Sequence, residues 1–379
     1  MTEGHPSALT YDEAYTYHNA LFYKIKVTEK GDSSNRISIY YYNSDNLLAM
    51  QGRFLNGEQQ LSYYTYDYLG NNISAVDYSG AEVCADYNVF GKVLKSVNQL
   101  GNATYYSYDQ LGNLLSQTNS LGQSEFYAYD LLGRQTVSQT PYDQASYSTV
   151  KNYYDANGNL IKSIDADGYQ TNYYYNSRNL LTAVEAILGS GKVNITKYEY
   201  DAEGRNTKVF TGLNSWQDDD YRTQDYSYDA LGRLVSSTDG LGQKAYFSYD
   251  ANGNMLKATN RNGVTVNYAY DGLNRLVQKQ NSQEKTVINY YYDQLGQLIK
   301  TTDATGDTLY SYDDLGRLLL TDYTNGIRQS YTYNNADKLT GLLVTNGGLS
   351  EISLGYSYDA AGNLINVNES GKNFSYFYD

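Results

Sequence analysis

Two prolines, one tryptophan, two histidines and one cysteine are all that 379 residues contain of those types. Each shortage closes off a class of protein. A single thiol, Cys84, can form neither an intrachain disulfide nor a Cys-x-x-Cys metal site. The two histidines, His5 and His18, show no metal-ligand spacing, and the stretch from residue 19 onward has no histidine for acid–base work. No apolar run approaches the ~20 residues that a membrane helix needs. Residues Met1 to Thr10 lack the basic and apolar regions of a secretory leader. Basic residues are also short: 28 Lys and Arg against 42 Asp and Glu leave a net charge of −14, which repels phosphate backbones and disfavours nucleic-acid binding.

What is abundant is tyrosine (47) and glycine (33), and both are periodic. A Tyr followed by Asp or Asn recurs at Tyr42, Tyr66, Tyr87, Tyr108, Tyr129, Tyr154, Tyr175, Tyr200, Tyr228, Tyr249, Tyr270, Tyr292, Tyr312, Tyr333, Tyr358 and Tyr378. Seven of these fifteen spacings are 21 residues, and the rest run from 20 to 28, so the chain is a tandem array. Ten units fill three slots identically with Tyr, Asp and, three residues after the Asp, Gly. They are Tyr66, Asp67, Gly70; Tyr108, Asp109, Gly112; Tyr129, Asp130, Gly133; Tyr154, Asp155, Gly158; Tyr200, Asp201, Gly204; Tyr228, Asp229, Gly232; Tyr249, Asp250, Gly253; Tyr292, Asp293, Gly296; Tyr312, Asp313, Gly316; and Tyr358, Asp359, Gly362. We read these as structural, repeat-defining positions.

Where the glycine slot is not Gly it holds Asn46, Asn179, Asn274 or Asp337, the residue types that tolerate a left-handed backbone. The slot therefore predicts a positive φ closing a hairpin turn. Two residues later stands an apolar side chain in most units, such as Leu114, Leu160 or Leu234. Two residues before the anchor is an aromatic in fourteen of sixteen units, Ala85 and Asn152 excepted. Residues two apart share one face of a strand, so each incoming strand presents an aromatic pair. A second turn signal, Gly80, Gly101, Gly122, Gly168, Gly242, Gly263, Gly326 or Gly371, lies seven residues before many anchors. One unit is two short antiparallel strands and two tight turns.

The expected fold class is all-β: tandem antiparallel hairpins in one long curled sheet. Fifteen two-strand units at ~4.8 Å per strand make a ribbon on the order of 140 Å wide. Twisted sheets rarely exceed ~10 strands without curling or splitting. Rolled once, it would be roughly 45 Å across, too wide for side chains to fill. Residues 1–36 fit the register poorly and are expected to form a degenerate first repeat or cap, with the array running over 37–379. Four units are longer, with extra residues at 139–149, 186–195, 212–225 and 345–351, read as longer loops on one rim. Asp379 directly follows the anchor Tyr378, so the array stops inside a motif and reads as a segment of something larger.

The pattern Tyr228-Asp229-Ala230-Leu231-Gly232-Arg233-Leu234, repeated closely at Tyr312–Leu318 and Tyr249–Met255, resembles the YD-repeat (Rhs-repeat) family over about residues 37–379. The resemblance implies a ribbon that spirals into a hollow shell. In bacterial members such a shell encloses a C-terminal toxin used in contact-dependent competition, or sits on the cell wall; in animal relatives it belongs to adhesion receptors. It implies a secreted or cell-surface location, and as partner a cargo toxin domain or further repeats of the same polypeptide. The family's Pro-rich, Asp-Pro-containing core motif and a non-repetitive C-terminal domain do not occur in this sequence.

Chemistry beyond structure has few candidates. The anchor aspartates would bond their own turn backbone rather than a metal. Asp165-Ala166-Asp167-Gly168 and Asp218-Asp219-Asp220 are weak Ca²⁺ candidates, oxygen-rich but short of a full ligand set. Arg134, Arg205, Arg233, Arg317 and Lys92, after the turn glycine, are placed to pair with an anchor Asp or cap strand ends. No enzyme, catalytic residue or cofactor is indicated. Three readings follow: a structural shell segment; a carbohydrate- or wall-glycan-binding module, weakened by Trp216 being the only Trp; and a protein-adhesion surface.

Overall fold

The computed structural model describes residues 9–12, 23–30, 35–143, 146–189, 192–217 and 221–378. The protein is all-β: the described residues form antiparallel strands, each paired with its neighbour in sequence, and no α-helix. Two compact units result, one from 1–105 with 288–379 and the other from 106–287.

Within each unit the repeat reads as the periodicity requires. The strand Ser124–Tyr129 pairs with Gln135–Pro141, and Lys244–Tyr249 with Met255–Thr259. In both pairs the anchor Tyr faces the residue six positions on while the register skips the one after it: Tyr129 pairs with Gln135, and Ala128 with Val137. This bulge recurs beside anchors Tyr154, Tyr200, Tyr228, Tyr312 and Tyr358, and a bulge adds right-handed twist to the ladder. Exposure alternates along incoming strands. In Thr265–Tyr270, Tyr268 and Tyr270 are half-buried and Asn267 and Ala269 exposed. The aromatic pair thus marks the better-covered face.

Asn46, Asn179, Asn274 and Asp337 have φ of 62°, 59°, 62° and 61°, and Gly253 sits at 93°. The slot is left-handed whichever residue fills it. Few side chains are fully buried: among the described residues the buried apolar ones are Ile39, Ala183, Ile195, Leu213 and Ala245. A thick two-layer core is not what holds this chain together, so ties between successive hairpins carry more of the burden.

The insertions differ from expectation. Most of the extra residues lengthen strands instead of making loops. Ala186 and Ile187 pair with Asn194 and Val193, and the ladder from Gly341↔Gly355 runs on to Asn346↔Leu349 around Gly347-Gly348. Pro141, expected in a connection, is the last residue of its strand and pairs with Tyr147. Pairing satisfies backbone groups that a loop would leave to water, which favours ladder extension wherever β-formers are available. In the 212–225 insertion Thr211 pairs with Arg222, and residues 214–217 lie outside any strand. At the N-terminal side, Leu9–Asp12 pairs with Tyr23–Lys30, and that strand with Asn35–Tyr42.

Candidate functional site

The motif builds its turn from one carboxylate. The Asp109 amide donates to the Asn113 carbonyl at 2.9 Å and the Gly112 amide to the Asp109 carbonyl at 3.1 Å, closing a five-residue hairpin loop. Asp109 Oδ1 accepts the amides of Leu111 and Asn113 at 2.9 and 2.8 Å, and Oδ2 accepts Asn113 Nδ2 at 2.9 Å. Asp67, Asp155 and Asp250 repeat the arrangement with Asn71, Asn159 and Asn254. The side-chain bond from the Asn, followed by the turn amides, holds the Asp109 carboxyl below its ordinary range, and the same Asn bond leads at Asp67, Asp155, Asp250 and Asp359. The anchor carboxylates are committed to their own turns.

Where Arg replaces Asn the turn also reaches the next repeat. Arg233 Nε donates to Asp229 Oδ2 at 2.7 Å, while Nη1 donates to the carbonyl of Asp250, the next anchor Asp, at 2.6 Å. The same guanidinium lies 4.8 Å from the Tyr249 ring centroid, in cation–π range. Arg134, Arg205 and Arg317 do likewise toward Asp155 and Tyr154, Asp229 and Tyr228, and Asn334 and Tyr333. At these four arginines the expected pairing with the anchor Asp is present, whereas Lys92 follows Asn88 instead of an Asp; the arginines' grip on the following repeat goes beyond the expectation.

A further tie could not be read from the sequence. The anchor hydroxyl is bonded to protein. Tyr200 donates to the Leu181 carbonyl at 2.7 Å, Tyr228 to Asn206 at 2.7 Å and Tyr249 to Leu234 at 2.9 Å. In every case the acceptor sits six residues after the preceding anchor. Tyr66, Tyr154, Tyr312 and Tyr358 follow the same rule onto Leu48, Gln135, Leu298 and Leu339. The acceptor is a backbone oxygen, indifferent to side-chain type, so Asn206 and Gln135 serve as well as Leu. Desolvation raises the hydroxyl pKa at Tyr108, Tyr200, Tyr228, Tyr270 and Tyr358.

The second turns use the same device. Asp165 Oδ1 accepts the amides of Asp167 and Tyr169 at 3.0 and 2.8 Å, as Asp77, Asn119 and Asp239 do in their turns. The sequence signal was available as Asp or Asn three residues before seven of the eight second-turn glycines, Gly326 with Tyr323 being the exception. Of the weak Ca²⁺ candidates, Asp165 opens this turn and Asp167 lies within it, whereas Asp218, Asp219 and Asp220 lie outside the described residues. Among the described residues no three His, Cys, Asp or Glu side chains converge as a metal site would require.

Two features stand apart from the repeat. In the unit 106–287, the loop after Leu213 carries Trp216 back over the face opposite the aromatic pair. Its Nε1 donates to Glu185 Oε1 at 2.9 Å and its ring meets Tyr174 edge-on at 5.0 Å. Glu185 Oε2 accepts Tyr174 Oη and Asn172 Nδ2, and these bonds, led by Asn172, lower its pKa. Ile195 and Leu213, among the most buried side chains, are cross-strand partners on the face this loop covers. In the other unit, the hairpin tip at 55–58 seats on two later anchor turns, 313–316 and 334–337. Asn56 N donates to Asp314 Oδ2 at 3.0 Å, and Arg53 donates to Asp337 Oδ2 at 2.6 Å and to the Asn335 carbonyl at 2.7 Å.

The Teneurin YD-shell family model matches residues 176–347 and the RHS Repeat model matches residues 154–190. The chain carries YD/RHS repeats over residues 154–347. No curated protein matches it in sequence. Among solved structures, a chain of the Photorhabdus luminescens Tc holotoxin pore is similar over 88% of this chain, with TM-score 0.73 and 15% identity. Chains of two TcdB2-TccC3 crystal structures, the TEV and Cdc42 forms, are similar over 98% of this chain. Their TM-scores are 0.59 and 0.53 and their identities 13% and 14%. At these identities the likeness is one of fold. This chain spans 20%, 24% and 25% of the respective neighbours.

Proposed function

We propose that this chain is a wall segment of a YD-repeat shell, a non-catalytic structure that encloses or presents a toxin or effector segment of a larger polypeptide outside the producing cell. The observation that carries the reading is the tie between repeats. Anchor hydroxyls and post-glycine arginines lock each hairpin to its neighbour without a thick core, which suits a wall better than a globular domain. The Teneurin YD-shell match and the fold shared with Tc toxin chains support it. The carboxylates that recur in the repeat are held in turns, which leaves them no free geometry for acid–base work.

The test is limited proteolysis of the natural polypeptide that carries these repeats. A segment of unrelated sequence should resist protease while the repeats are folded and become sensitive once acid or denaturant opens them. A polypeptide with no protected segment, and no protein co-purifying with it, would contradict the reading. Contact-dependent competition and placement at the cell wall are finer forms of this proposal, and the fate of the protected segment distinguishes them.

A further inference from the structure

In the unit 1–105 with 288–379, the seating of the 55–58 tip leaves a pocket of about 590 Å³ between stretches far apart in sequence. Glu58, Gln59, Tyr63 and Tyr78 line it from one side and Asn335 from the other. Arg53 holds the two sides together. Its Nε donates to Gln60 Oε1 at 2.8 Å, Nη1 to Asp337 Oδ2 at 2.6 Å and Nη2 to the Asn335 carbonyl at 2.7 Å. The same guanidinium lies 4.0 Å from the Tyr78 ring centroid, and Gln60 Nε2 donates to Asn335 Oδ1 at 2.9 Å. What remains is a set of polar groups with no protein partner among the described residues: the Glu58 carboxylate, the Gln59 amide, the Tyr63 hydroxyl and Asn335 Nδ2.

We propose that this pocket binds a neutral saccharide unit, which bridges the 55–58 tip and the 334–337 turn. Its volume falls within the ~300–1,000 Å³ of small-ligand sites, and the lining selects the chemistry of the ligand. An anion would meet the Glu58 carboxylate and no free cation, because every guanidinium nitrogen of Arg53 is already bonded. A cation would gain Glu58 but face the Arg53 guanidinium, which already covers the Tyr78 ring. An apolar ligand would strip water from four polar groups and return no hydrogen bond. A sugar presents hydroxyls that donate to Glu58 and accept from the Gln59 amide and Asn335 Nδ2. Its C–H face suits the Tyr63 ring, which is 47% exposed. The site is whole only while the tip is seated, since Asn335 comes from the turn.

The experiment is saturation-transfer NMR on the full chain with glucose, N-acetylglucosamine and cellobiose as neutral probes, beside glucuronate and glucosamine. At least one neutral probe should bind with a Kd of about 1 mM, and the two charged probes at least about tenfold more weakly. Tyr63→Ala and Gln59→Ala should each weaken binding by at least about fivefold while the circular dichroism spectrum stays that of wild type. Tyr246→Ala removes a similarly exposed ring (50%) in the other unit and should leave binding unchanged. The bound sugar should slow amide exchange at 55–58 and 334–337 together. Absence of binding by every neutral probe overturns the proposal, and so does binding that survives both Tyr63→Ala and Gln59→Ala. Tighter binding of glucuronate or glucosamine overturns it as well, by assigning the pocket to an anion or a cation.

Discussion

The Tyr200 hydroxyl donates to the Leu181 carbonyl at 2.7 Å, nineteen residues back and one repeat away. Because the same bond recurs from Tyr66 to Tyr378, the defining letter of the repeat is a tie to the previous hairpin as much as a ring on a face. Tyr200→Phe keeps the ring and removes only this bond. It should cost about 0.5–1.5 kcal/mol in urea unfolding, the usual net worth of one hydrogen bond. Amide exchange should quicken around residues 181 and 200 and stay unchanged several repeats away, since repeats couple mainly to their neighbours. A uniform change along the chain would speak against the tie being local.

Gly253 has a φ of 93° with open space where a Cβ would go, so the backbone angle alone decides what fits. Gly253→Ala should cost about 1–2 kcal/mol, the left-handed penalty of an L-residue. Gly253→Asn should cost clearly less, because Asn274 already occupies the equivalent slot at 62°. Equal losses for the two variants, measured by thermal unfolding, would show that packing sets the preference.

Two titrating sets bound the pH range. The anchor carboxyls at Asp109, Asp250 and Asp359 lie below the ordinary 3.8, chiefly through their Asn partners. Their contribution is full above that value and is lost as pH falls through the lower folded ones. The anchor hydroxyls lie above the ordinary 10.0, by desolvation, and Tyr127, which also donates to Glu125, is pushed up to about 12. Their contribution is full below 10.0 and is lost as pH rises through the folded values. Melting temperature should hold a plateau between about pH 4 and pH 10 and fall on both sides. Tyrosinate absorbance should appear later in folded than in unfolded protein. Coincident tyrosinate curves would refute the alkaline arm.

Trp216 is the sole tryptophan and reports one place, the loop folded over Glu185 and Tyr174. Glu185→Gln keeps an acceptor oxygen for Nε1 and should leave its emission at the wild-type wavelength. Glu185→Ala should release the loop, shift emission to the red and raise exchange at Ile195 and Leu213. Unchanged emission in Glu185→Ala would mean that the Tyr174 contact alone holds the loop.

The sequence made the hairpin legible because its signals are local. Gly253 or Asn274 at a fixed step after Tyr-Asp demands one backbone angle, and the structure has it. Asp109 bonding two residues on is likewise fixed by neighbours in the chain. The acceptor of Tyr200 left no trace, because it is a carbonyl that Leu181, Asn206 or Gln135 supply equally well. Arg53 and Asp337 pair across 284 residues, and no periodicity predicts that meeting. The longer units looked like loops because only their length was visible, while their cross-strand partners, such as Ile187 and Val193, were not.

The measurement that bears most directly on the shell reading is an electron cryomicroscopy structure of the natural polypeptide that carries these repeats. The account predicts that the Tyr-Asp ribbon encloses density belonging to a different sequence, with the hydroxyl ties intact along the wall. A ribbon with solvent on both faces, or one whose interior is filled by its own side chains, would contradict it.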